Sequence, residues 1–183
     1  MKSLSCLRLP VLLFCGFVIA ACSSGPGGGG EVTTGPWNRL ATSYSKNGMI
    51  RTAKTTAGGH VVEATMVWRP YRAATDGSVA SWYGDMGRPP PTYVVQQLTI
   101  SVNGNPVSIP PSAYRSYCTQ WEPLGEGIEF FKRGSTYRLL LSLGDGAEAW
   151  AGYFDFVPGS PVLKAQGTKD GPELMNEMDG FGM

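Results

Sequence analysis

The chain has 183 residues, enough for one domain with extensions, and a formal net charge of only +1. No basic stripe is present to neutralise phosphates, so nucleic acid is excluded as the expected partner. Charged residues make up 16% of the chain, and 25 Gly and 14 Pro accompany 11% aromatics, a mix that suits short strands and many turns better than a helical bundle.

In chain order, the first segment carries only two charges, Lys2 and Arg8, followed by an apolar run from Leu9 to Ala21. The run is too short to span a bilayer, which needs about 20 apolar residues. A charged start, an apolar middle and small residues at the end form the layout of a secretory signal. Loss of Lys2 and Arg8 with that signal leaves 13 basic against 14 acidic residues, a net of −1.

The end of the run, Ile19-Ala20-Ala21-Cys22, resembles the lipobox of bacterial lipoproteins. The resemblance covers residues 1–22 only, and it implies that the Cys22 thiol takes a diacylglyceryl group. Cleavage would follow Ala21, and the freed amino group would be acylated in turn. Ser23 stands where the retention aspartate of that class would be, which implies the outer membrane, facing the periplasm. Each buried methylene contributes roughly 0.8 kcal/mol, so two or three acyl chains hold a protein where one does not. An ordinary signal peptide, or a short anchor with an incidental cysteine, is the plainer alternative. The Gly-rich run from Ser23 to Gly30 then reads as a tether. A dozen such residues span about 20 Å as a flexible coil.

Four cysteines are present. Cys6 and Cys15 fall in the segment to be removed and Cys22 is the lipid site, which leaves Cys118 alone and no intramolecular disulfide to expect. Cys118 with the single His60 has the composition of a nucleophile and its base. The preferred reading is a small buried hydrophobe. One His and one Cys also make a poor metal set, and no cofactor is called for.

From Trp37 the polarity becomes periodic. Val62, Ala64, Met66 and Trp68 alternate with Val61, Glu63, Thr65 and Val67, a strand that Pro70 ends. Residues 71–92 read as loop, with a short strand over Val79–Tyr83 and the run Pro89-Pro90-Pro91. Leu98, Ile100 and Val102 lead into Asn103-Gly104 and then Val107 and Ile109, a hairpin with a type I′ turn. Ser112 caps a single helical turn up to Tyr117. Ile128–Phe131 forms a strand, and Tyr137, Leu139, Leu141 and Leu143 alternate along the next. Gly144-Asp145-Gly146 turns into Ala147–Val157, whose large residues on both faces predict cover on both sides. Residues 167–183 have few aliphatics and read as a loosely ordered tail.

The expected organisation is a signal peptide over 1–21, lipidated Cys22 and tether over 22–36, an antiparallel β domain over 37–166, and the tail. The fold class is all-β, a single antiparallel β-sandwich or small barrel with hairpin connections.

No residue set for catalysis emerges. His60 and Glu63, three apart in a strand, point to opposite faces. Asp145 alone offers too few oxygens for calcium, which takes six to eight. Ser78 and Ser81 lack the glycines of a nucleophile elbow. The candidate partner-binding residues are Trp68, Arg69, Tyr71, Arg72 and Arg88, because Trp, Tyr and Arg dominate interface hot spots. The expected function is therefore a non-enzymatic binding domain on a lipid anchor, contacting a protein or polysaccharide of the cell envelope. The alternative is an inhibitor or immunity lipoprotein that plugs a cell-wall hydrolase with the loop Tyr71–Thr92. An envelope enzyme with a site assembled from dispersed residues is the third reading.

Overall fold

The computed structural model describes residues 35–85, 88–123, 127–144 and 149–178. The expected signal peptide over 1–21, the expected lipid site Cys22, the Gly-rich run Ser23–Gly30 and Asp145 lie outside the described residues.

The described chain folds as an all-β sandwich of two antiparallel sheets. The first sheet has five strands: β1 (Asn38–Arg39), β8 (Ile128–Arg133), β9 (Thr136–Leu143), β10 (Trp150–Phe156) and β11 (Ala165–Asp170), in that spatial order. The second runs β2 (Thr42–Asn47), β3 (Ile50–Ala57), β4 (His60–Pro70), β5 (Tyr93–Val102), β6 (Asn105–Val107), with the short β7 (Cys118–Thr119) also paired to β5. Both sheets are open at their edges, so the barrel alternative falls.

Alternation places the core. Val62, Ala64, Met66 and Trp68 of β4 meet Leu98, Ile100 and Val102 of β5, and across the sandwich Tyr137, Leu139, Leu141 and Leu143 of β9 meet Phe154 and Phe156 of β10. The register of β5 and β6 follows from the turn between them. Asn103 and Gly104 take φ of 52° and 81°, the positive pair that a type I′ hairpin requires. The Asn103 carboxamide oxygen also accepts from the Val61 N–H at 2.8 Å, tying this turn to β4.

β10 is buried on both faces, as its large residues lead one to expect, and β9 beside it is buried on both faces as well. The outer cover is α2 (Gly171–Met178), with Leu174 and Met178 packed on Trp37, Phe131, Leu140 and Ala151. Here the loosely ordered tail is corrected for residues 167–178, the rest of it lying outside the described residues. Residues 165–170 pair along β10 from Asp155↔Ala165 to Trp150↔Asp170, and the helix follows directly. An edge strand is held by backbone hydrogen bonds, so polar side chains do not forbid it. Leu174 and Met178, four apart, suffice to dock one helical face.

Two smaller expectations also change. Val79–Tyr83 is not a strand; Tyr83 makes a single bridge to Tyr117, and a short helix α1 (Ala73–Asp76) precedes it. The turn at 111–113 is a 3-10 turn entered from Pro110, without a Ser112 cap. No helix among the described residues is long and apolar enough to cross a membrane.

Candidate functional site

The five predicted partner-binding residues do not form one patch. Strand alternation turns Trp68 inward, and at 6% exposure it is part of the core. A bulge between Val67 and Trp68 shifts the register with β5 at this point. Arg69 faces outward and clasps Asp76 through two hydrogen bonds of 2.7 and 2.6 Å. Asp76 also accepts from the Arg72 N–H at 2.8 Å, so this carboxylate fastens α1 to the end of β4. The hydrogen bonds from Arg69 hold its pKa down at about 2, against the opposing pull of burial. Tyr71 packs edge-on to Trp82 at 5.9 Å. Arg72 and Arg88 stand exposed. The cluster thus divides into a core tryptophan, a structural ion pair and separate surface groups.

Cys118 and His60 do not meet. His60 lies at the β3–β4 turn, its Nδ1 3.2 Å from the Asn103 amide nitrogen, beside a hollow of about 310 Å³ bordered by Pro158 and Pro161. Cys118 lines a different, larger groove. Its thiol is pushed up to about 12 by burial and then by the Asp85 charge, so it stays protonated and is a poor nucleophile. Among the described residues no three His, Cys, Asp or Glu are grouped to hold a metal ion.

The larger groove, of about 640 Å³, falls in the range of ligand sites and is the candidate site. Met66 and Trp68 of β4 and Leu143 of β9 supply its apolar lining, and all three are buried. Trp121 stands on its rim with 65% of its surface exposed. Three carboxylates, Asp85, Glu122 and Glu129, line it beside Cys118, Thr119 and Ser142, and no Lys, Arg or His among the described residues joins them.

Local geometry explains how distant segments reach this groove. Tyr83–Asp85 zips against Cys118–Gln120, with Cys118 N–H donating to the Tyr83 carbonyl at 3.0 Å and Gln120 N–H to the Asp85 carbonyl at 2.8 Å. Gly84, at φ +150°, permits the contact: a Cβ there would lie 1.8 Å from the Cys118 carbonyl oxygen. The Trp121–Pro123 segment is held from below by Arg51, only 1% exposed, whose guanidinium donates to the carbonyls of Gly48, Ile50 and Pro123. Burial lowers the Arg51 pKa, and the nearby Glu122 opposes that shift.

Sequence reasoning missed Asp85, Trp121, Glu122 and Glu129. The one available signal was Trp121, a large aromatic in the polar, turn-rich stretch Thr119-Gln120-Trp121-Glu122-Pro123. No family model matches the chain, and neither does any curated protein or solved structure.

Proposed function

We propose that the chain is a lipid-anchored binding module of a bacterial cell envelope, held at the outer membrane facing the periplasm. It contacts an envelope protein or polysaccharide without catalysing a reaction. The observation that carries this reading is Ile19-Ala20-Ala21-Cys22 followed directly by Ser23–Gly30, a lipid site joined to a tether. Two features of the folded domain support a binding role. The groove combines an apolar lining with an exposed tryptophan and a few polar groups, the composition of a recognition site. Its thiol is held protonated rather than activated.

Mass spectrometry of the protein purified from bacterial membranes tests the anchor. The expected mature chain begins at Cys22 and carries diacylglyceryl and amide-linked acyl groups. A Cys22→Ser variant should retain its leader. An intact leader on the native protein, or an unmodified Cys22, would overturn the proposal.

A further inference from the structure

We infer that the groove between β4 and the Cys118–Pro123 segment receives a lysine- or arginine-bearing stretch of a partner protein. This rests on reading the domain as a binding module. Three observations converge on a cationic peptide.

The first is charge. Asp85, Glu122 and Glu129 line one groove without a basic side chain in that lining among the described residues. Glu122 is met from outside by Lys46 at 3.2 Å, and Glu129 by Arg39, but those cations are 46% and 67% exposed. Pairs this exposed are weak, so an arriving cation can replace or share them at little cost. Asp85 has no salt-bridge partner among the described residues, and its charge bears on Cys118 instead. An anionic ligand would be repelled here, and a neutral glycan could hydrogen-bond the carboxylates through its hydroxyls but would leave their charge uncompensated.

The second is Trp121. Its exposed ring lines the same groove as the carboxylates, and an indole face is the best aromatic partner for an ammonium or guanidinium group. Exposed tryptophan beside a groove is also a common anchor of protein interfaces.

The third is an unanswered donor. Trp68 lines the groove at 6% exposure, and its indole N–H has no hydrogen-bond acceptor among the described residues. A buried donor without a partner is costly, and a peptide brings a carbonyl acceptor at every residue. Seating that carbonyl requires the Trp68 ring to move, because Nε1 is fully covered. Cationic side chains on the carboxylates and a main-chain carbonyl on Trp68 together describe a basic peptide segment.

The test uses the full chain in detergent micelles, labelled with ¹⁵N so that tryptophan indole resonances are followed individually. The probes are a capped peptide, acetyl-Gly-Lys-Gly-Lys-Gly-amide, the same peptide with both lysines acetylated, and a neutral chito-oligosaccharide. The lysine peptide should shift the Trp68 and Trp121 resonances saturably and leave Trp37 in place. Acetylation should abolish the shifts. Asp85→Asn combined with Glu122→Gln should weaken binding about tenfold, and added salt should weaken it further. Unchanged Trp37 and Trp150 resonances in the variant confirm that it is folded. Equal binding of the acetylated peptide, or no response to the lysine peptide, overturns the inference. If the oligosaccharide alone shifts Trp68 and Trp121, the cationic-peptide inference falls while the binding-module reading stands. If no probe binds, and photocrosslinking from position 121 in cells captures neither protein nor glycan, both fall.

Discussion

At the scale of single residues, Asp76 and Gly84 each hold a loop to the sandwich by a different physical means. Asp76 acts through charge. Its carboxyl is depressed from 3.8 to about 2, first by the hydrogen bonds from Arg69, so its contribution is fully present above about pH 4 and is lost as the pH falls through about 2. The shift corresponds to about 2 kcal/mol at neutral pH. Denaturant unfolding of an Asp76→Ala variant should therefore show a deficit of that size at pH 7. The gap should shrink below pH 4 and largely close near pH 2; an equal gap at both ends would contradict the assignment. Gly84 acts through the space it leaves. Its φ of +150° disfavours any side chain, and a Cβ would collide with the Cys118 carbonyl oxygen. Gly84→Ala should cost more than about 2 kcal/mol and separate the two segments that zip there. A variant with wild-type stability in thermal unfolding would show that the loops do not cross so closely.

At the scale of elements, the outer layer hangs on Arg138 of β9. It is 3% exposed, donates to Asp155 of β10 at 2.7 and 2.9 Å, and reaches Glu177 of α2 at 3.2 Å. Its guanidinium lies 4.2 Å from the centre of the Trp37 ring and 4.5 Å from that of Tyr153. Burial opposes the charge, but Asp155 and Glu177 outweigh it and raise the Arg138 pKa. Removing one member leaves the other buried and unpaired. Arg138→Met should thus cost about 3–5 kcal/mol, and adding Asp155→Leu should return much of it. Additive losses in a double-mutant cycle would count against this coupling.

The elements also show what the sequence made legible. β4, β9 and the Leu98–Val102 half of β5 carry an apolar residue at every second position because each buries one face against the opposite sheet, and the hairpin after β5 is written in Asn103-Gly104. β11 was illegible because an edge strand needs only its backbone; its sequence Ala-Gln-Gly-Thr-Lys-Asp has no apolar face to read. The groove was hidden for another reason. Met66, Asp85, Trp121, Glu129 and Leu143 stand far apart in the chain and meet only through loop crossings that no local pattern encodes. Trp68 shows the limit most plainly. Its residue type suggested an interface anchor, while its position in an alternating strand placed it inside.

For the whole molecule, the two sheets differ in cover. The first carries the helix α2 on its outer face, while the second keeps the alternation of buried and accessible residues along β4 that marks a face open to water. The groove draws on β4 from one sheet and β8 and β9 from the other, so its geometry depends on the sandwich as a unit rather than on one loop. Cys118, the free cysteine among the described residues, is buried where it lines this groove.

The Trp37 N–H donates to the Met178 carbonyl at 3.3 Å. The first and last turns of the described domain therefore sit side by side, and a short peptide bridge would close it into a ring. Such a ring would gain robustness through the denatured chain alone, which would have fewer ways to spread out, while every native contact stayed as it is.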